Sequence, residues 1–210
     1  MKKILALTLV LAMLLSMTAC GLLGVKKEDL CGTWSLDLYQ DAETVESILL
    51  NRLDFYEEEI ALIDLNSLAC VMCVRFNEDN TYSYYFDIPD TKVAVRKFFN
   101  GAMEALYAGR ASLSAVYNED LGSMSKDGFY QFYADLFGTA SIDELIDSFV
   151  EWAFDYDILA ETLEEGTYRI VMNDIYKTPE GKTEESMGVT IEDGILTLSY
   201  LDGDEVYTRK

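Results

Sequence analysis

Apolar residues recur with two different periods along this chain, and the periods change in blocks. Residues 31–39 (CGTWSLDLY) put Trp34, Leu36 and Leu38 on one face and Thr33, Ser35 and Asp37 on the other, as in a half-buried strand. Val45, Ile48, Leu49, Leu53, Tyr56 and Ile60 then recur at helical spacing, predicting one helix from about Ala42 to Ile63 capped by Asp41. Strands over about Leu68–Phe76 and Tyr82–Ile88 flank Asn77-Glu78-Asp79-Asn80, four turn formers that read as a hairpin loop. From Pro89 to about Leu163 the period becomes helical. Asp90 is placed to cap a helix carrying Val95, Phe98, Phe99, Ala102, Met103, Leu106 and Tyr107, and a shorter helix covers about 127–137. Ser141-Ile142-Asp143-Glu144 fits a capping box ahead of Leu145, Ile146, Phe149, Trp152 and Ala153. Strands return at Tyr168–Tyr176, Met187–Glu192, Ile195–Leu201 and Glu205–Arg209. They are separated by Pro179-Glu180-Gly181-Lys182 and by two Asp-Gly hairpin signals, Asp193-Gly194 and Asp202-Gly203. The expected fold is α+β: an antiparallel meander of about seven or eight strands, either a barrel or a strongly curved sheet. A helical insertion at about 89–163 sits within a single domain over 31–210.

Composition narrows the chemistry. Half of the 210 residues are apolar and 12% are aromatic, enough for a globular core. The chain has no histidine, which excludes Ser-His-Asp and Cys-His nucleophile pairs, histidine-ligated zinc or haem, and histidine acid/base work. Its first residues read as an export segment: Lys2 and Lys3, an apolar or small run from Ile4 to Leu15, then Thr18-Ala19 as a cleavage site. That run is too short to span a bilayer, which takes about 20 residues. Met17-Thr18-Ala19-Cys20 resembles the lipobox of bacterial lipoproteins, with Met17 where leucine is usual. The resemblance implies that residues 1–19 are removed and that Cys20 becomes an acylated N-terminus on a tether over 20–30. It implies a location on the outer face of the cell membrane, or on an outer membrane where the envelope has two, held through the acyl chains. Removing Lys2 and Lys3 leaves 14 basic against 38 acidic residues, a net charge of −24. Such a surface repels phosphate backbones, so nucleic acid is not an expected partner. The acids at Glu57-Glu58-Glu59 and at Asp155, Asp157, Glu161, Glu164 and Glu165 lack the spacing of a calcium loop and read as solvated surface. No metal site or cofactor is expected.

Gly32-Thr33-Trp34, Phe76-Asn77-Glu78-Asp79-Asn80-Thr81-Tyr82, Gly166-Thr167-Tyr168-Arg169-Ile170, Asp193-Gly194-Ile195-Leu196 and Val206-Tyr207-Thr208-Arg209 together resemble the lipocalin and calycin superfamily. The likeness is to the small lipocalin-like domains of bacterial lipoproteins. It covers the strands and none of the helices, and Asn80 stands where glycine is usual. It implies that Trp34 closes one end of a barrel beneath the guanidinium of Arg209, and that the barrel takes an apolar or amphipathic small molecule. Aromatic residues at helical spacing are mostly core. The insertion holds a surplus, so Phe98, Phe99, Tyr107, Phe132, Tyr133 and Trp152 are candidates for lining a ligand pocket between helices and barrel, where acids at the rim would suit a cationic amphipathic ligand.

The remaining motifs carry less. Cys70-Val71-Met72-Cys73 lies in a strand-like context, away from the helix N-terminus that a redox C-x-x-C uses, and its two side chains point to opposite faces. A Cys31–Cys73 disulfide and free apolar thiols are both compatible with the sequence. Ser123-Met124-Ser125-Lys126 lacks the partner motifs of penicillin-interacting serine enzymes, and Gly181-Lys182-Thr183 lacks the glycine and helix of a P-loop. The leading expectation is a monomeric, non-enzymatic binding protein. A docking module for another envelope protein or polymer, with a filled barrel and an exposed apolar patch, comes second. A glycosidase using carboxylates among Asp155, Asp157 and Glu161 comes third, and no spacing singles out such a pair.

Overall fold

The structure, a computed structural model, describes residues 24–210. The export segment 1–19 and Cys20 lie outside the described residues. Eight strands, β1 (Gly32–Tyr39), β2 (Ala69–Phe76), β3 (Thr81–Phe86), β4 (Glu164–Val171), β5 (Asp174–Pro179), β6 (Glu185–Glu192), β7 (Ile195–Tyr200) and β8 (Gly203–Arg209), form a closed antiparallel barrel in sequence order. β1 pairs with β8, with Trp34 opposite Arg209 and Ser35 opposite Thr208, so no strand keeps a bare edge. The fold is α+β, a lipocalin-like barrel with a helical insertion.

One unexpected turn raises the strand count from seven to eight. The single strand expected over Tyr168–Tyr176 is a hairpin in which Val171 pairs with Asp174. In the Met172-Asn173 turn it is Met172, not the neighbouring asparagine, that takes the left-handed backbone, at φ 58°. The Asp193-Gly194 turn behaves as its residues predict: both have positive φ, 49° and 78°, and Glu192 pairs with Ile195 across it. Asn80 also holds a left-handed backbone, φ 66°, at the position where the resemblance expected glycine.

The helices are α1 (Lys27–Leu30), α2 (Ala42–Arg52), α3 (Glu57–Ile60), α4 (Ile88–Tyr117), α5 (Lys126–Leu136), α6 (Ile142–Ala153) and α7 (Tyr156–Leu159), with short 3-10 turns at Leu65–Ser67 and Leu121–Ser123. The helix expected from Ala42 to Ile63 breaks after Arg52, where Asp54 turns left-handed at φ 55°. The cap of α4 is Asp87 rather than Asp90: its carboxylate accepts the amide of Asp90 at 3.1 Å, which leaves Pro89 in the first turn, where a missing N–H costs nothing. Asp41 and Ser141 cap α2 and α6 as their positions predict.

The described chain divides into two compact units. One comprises residues 24–36, Val74–Tyr84 and Glu164–Lys210; the other comprises Asp37–Cys73 and Tyr85–Leu163, so the helical unit draws on two stretches of chain rather than on 89–163 alone. The barrel unit buries Trp34, Phe76, Tyr82, Tyr84, Tyr168, Ile175, Met187, Leu196, Leu198 and Tyr207. The helical unit buries a separate core in which α2 (Val45, Leu49), α4 (Val95, Phe98, Phe99, Leu106), α5 (Phe129, Tyr133) and α6 (Leu145, Phe149) pack together. Its rings meet edge-on or tilted, as at Phe137–Phe149 (5.1 Å) and Phe99–Phe149 (5.2 Å), arrangements that suit their quadrupoles. Thr91, fully buried, ties α4 to β2 by accepting the Val71 amide at 2.9 Å.

Candidate functional site

Strand alternation decides what fills the barrel. In β3, β4 and β5 the inward register carries Tyr82, Tyr84, Glu164, Tyr168, Ile175 and Lys177, and in β7 it carries Leu196, Leu198 and Tyr200. Lys177 is only 9% exposed. Its ammonium donates to Glu164 Oε1 at 2.9 Å and lies 5.0, 5.9 and 6.0 Å from the ring centres of Tyr84, Tyr82 and Tyr200. Tyr82 donates its hydroxyl to the same Glu164 oxygen at 2.8 Å, and the Tyr84 and Tyr200 hydroxyls stand 3.3 Å apart. Burial alone would raise the Glu164 carboxyl. The hydrogen bonds from Lys177 and Tyr82, helped by the charges of Lys177 and Lys182, outweigh it and hold the group below the usual carboxylate range. Burial is also the main reason that the Tyr82 and Tyr84 hydroxyls are pushed far up and that of Tyr200 up to about 12. The result is an aromatic cage already occupied by the protein's own cation.

At the other end of the barrel the Trp34 indole donates to the Leu30 carbonyl at 2.8 Å, which seats α1 against β1. Arg209 lies 5.1 Å over the Trp34 ring and donates to the Cys31 carbonyl at 2.9 Å. The guanidinium thus lies over the indole at this end of the barrel. Both ends of the interior are therefore built from side chains where a lipocalin-type ligand would sit.

The six aromatics proposed for a pocket are placed otherwise. Phe98, Phe99 and Tyr133 are buried in the helical core, and Tyr107 and Phe132 pack against it. Trp152 is 54% exposed. Their helical spacing places five of them in or against the core. Cys31, Cys70 and Cys73 form no disulfide with one another, and Cys31 Sγ lies 3.5 Å from the Tyr168 hydroxyl. Burial pushes the Cys70 thiol up to about 11, the opposite of an activated nucleophile. Two acids read as solvated surface are interior instead: Glu164, described above, and Glu59, which is 2% exposed. Glu59 accepts the Tyr56 amide at 2.8 Å and the Tyr117 hydroxyl at 2.6 Å, together with the hydroxyl of Tyr133. It joins α3 to α4 and α5.

The helical unit carries a groove of about 830 Å³ along α2 and the α6–α7 corner. Ile48, Phe154, Ile158 and Leu159 give it an apolar floor, while Asp41, Glu43 and Asp155 bring three carboxylates against one guanidinium, Arg52. Helix starts position two of those acids: Asp41 accepts the Thr44 amide and hydroxyl at 2.8 and 2.7 Å, and Asp155 accepts the Ile158 amide at 3.3 Å. The Thr44 bonds lower the Asp41 carboxyl and keep it charged. Arg52 reaches across to the Ala153 carbonyl at 3.4 Å. Ile158, 65% exposed, has apolar surface left to cover. Asp157 and Glu161, the other glycosidase candidates, are exposed. Among the described residues no His/Cys/Asp/Glu group is arranged to hold a metal, and no helix is long and apolar enough to cross a membrane. Comparison with protein-family models, with curated proteins and with solved structures returned no match.

Proposed function

We propose that the protein is a non-enzymatic, lipid-anchored binding module of the cell envelope, acylated at Cys20, which takes a cationic amphipathic small molecule in the groove of its helical unit. The groove is the observation that carries this reading. Its volume lies within the roughly 300–1,000 Å³ of small-molecule sites, and it pairs an apolar floor with a net negative rim. The Lys177 cage and the Trp34–Arg209 stack occupy the two ends of the barrel interior, which favours the groove over the lipocalin position for the ligand. The exposed Trp152 and Ile158 of the same unit favour, as a second reading, docking of an apolar segment of another envelope protein.

Calorimetric titration of the protein with a long-chain alkyltrimethylammonium, below its micellar concentration, tests the first reading. Ile158→Asp places a charge in the apolar floor and Glu43→Lys cancels the net negative charge of the rim, and each should weaken binding about tenfold, equivalent to about 1.4 kcal/mol. Unchanged affinity in both variants places any binding elsewhere. Absence of binding, together with no co-purifying small molecule in native mass spectra, transfers the weight to the docking reading.

A further inference from the structure

We propose that the Trp34–Arg209 end of the barrel rests on the lipid bilayer, with the Met172 hairpin tip as its contact. The inference deepens the proposed anchoring at Cys20 and depends on it. Antiparallel order places the β4–β5 turn, the β6–β7 turn and the C-terminus at the same barrel end as the Trp34–Arg209 pair. The described chain enters at that end: a Cβ built on Gly24 would overlap the Met172 carbonyl, so only glycine permits the approach. Cys20 is four residues upstream, and four extended residues reach at most about 14 Å. An acyl chain on Cys20 therefore holds the Met172 tip within about that distance of the lipid headgroups. The tip is built for such contact: Met172 is 79% exposed, and Val171 beside it and Ile195 on the neighbouring hairpin are each 42% exposed. An apolar side chain on a water-facing turn gains from burial in the interface. Lys26 adds an exposed cation beside the point of entry. Glu78, Asp79 and Asp193 share this end, so apolar seating and the tether, rather than charge alone, set the orientation. Leu201, fully exposed on the β7–β8 turn, marks the opposite end.

The test uses the full chain, expressed with its export segment in bacterial cells and reconstituted into phosphatidylcholine–phosphatidylglycerol vesicles with or without brominated acyl chains. Tryptophan is placed in turn at each end (Met172→Trp, Ile195→Trp, Leu201→Trp), and the emission of Trp34 and Trp152 is subtracted using the parent protein. Intact mass reports acylation independently. The added emission of Met172→Trp and Ile195→Trp should fall roughly twofold in brominated vesicles, since an indole at the interface lies against the chains, while that of Leu201→Trp stays unchanged. An acylated chain with equal quenching at both ends, or with none at Met172 and Ile195, overturns the orientation and leaves the anchor standing. An unmodified mass overturns the anchor and the orientation together.

Discussion

Lys177→Met is the sharpest test of how the barrel interior is held. The side chains of Lys177 and Glu164 are 11% and 20% exposed, and their charged atoms meet at 2.9 Å. Breaking a fully buried pair costs about 3–5 kcal/mol, and residual exposure lowers this to roughly 2–3 kcal/mol here. Loss of attraction to three tyrosine rings adds about 0.5–2 kcal/mol, part of which the methionine thioether returns through its own ring contacts. Glu164 keeps the Tyr82 hydroxyl and gains what it can from Lys182 at 3.6 Å, so a net loss of about 3 kcal/mol is expected. Glu164→Gln, which leaves the ammonium caged without its counter-ion, should cost about 2 kcal/mol. The double variant removes both charges and should cost about 3 kcal/mol rather than the sum, a coupling of about 2 kcal/mol. Urea unfolding, followed by near-ultraviolet circular dichroism of the barrel tyrosines, reads all three variants. Costs that add to within about 0.5 kcal/mol would refute the pair as the organising contact.

Acid should unfold the barrel through the same carboxylate. The folded Glu164 binds its proton less tightly than the unfolded one, so its stabilisation is present above the ordinary carboxylate range and is lost as pH falls through the lowered value. Glu164→Gln should therefore flatten the acid limb of the stability profile measured by urea titration between neutral and acidic pH. Glu59→Ala leaves the Tyr117 and Tyr133 hydroxyls without their acceptor and should cost about 3 kcal/mol, with Glu59→Gln costing less than half of that; thermal melts compare the two. Arg209→Ala uncovers the Trp34 ring and should cost about 1–2 kcal/mol, with a red shift of the indole emission. An aromatic disulfide reagent should label the half-buried Cys31 in the folded protein and reach Cys70 and Cys73 only in denaturant.

The strands were legible where turn chemistry was explicit. Asp193-Gly194 and Asn77–Asn80 mark their hairpins because aspartate, asparagine and glycine tolerate the positive φ that those turns need. In the β4–β5 hairpin the left-handed residue is Met172, which has no preference for that conformation, and the weaker signal of Asn173-Asp174 beside it was read through as strand, so one strand went missing. The break in the first long helix was hidden because Leu53, Tyr56 and Ile60 keep the helical period through the turn at Asp54, although the core collects Leu53, Phe55 and Ile60 and leaves Tyr56 exposed. Trp34 and Arg209 were legible through a resemblance, and the register then placed them opposite each other. The interior polar residues were not. Glu59 sits in a run of three glutamates that looks like solvated surface, and only tertiary packing selects which of the three turns inward. Lys177 carried a readable sign: it shares the inward parity of Ile175 and Pro179, and a lysine in that register needs a buried partner.

Counting aromatics misled for the pocket because the count contains no volume. A helical layer consumes rings in proportion to the stripe it must bury, and α4, α5 and α6 meet along such stripes, so Phe98, Phe99 and Tyr133 are spent on the core before any cavity is lined. A groove arises instead where packing stops, at the corner where α6 ends and α7 begins. There Asp155 caps a single new turn and leaves Ile158 facing outward. The same reasoning separates the roles of the two units. A barrel with a caged ammonium toward one end and the Trp34–Arg209 stack at the other gains stability from side chains packed inside it, and those side chains take up space that a ligand would need. The proposed binding falls to the helical unit, whose groove is open and charged, and variants at Ile158 and at Lys177 should separate accordingly: the first changes affinity at constant stability, the second changes stability at constant affinity.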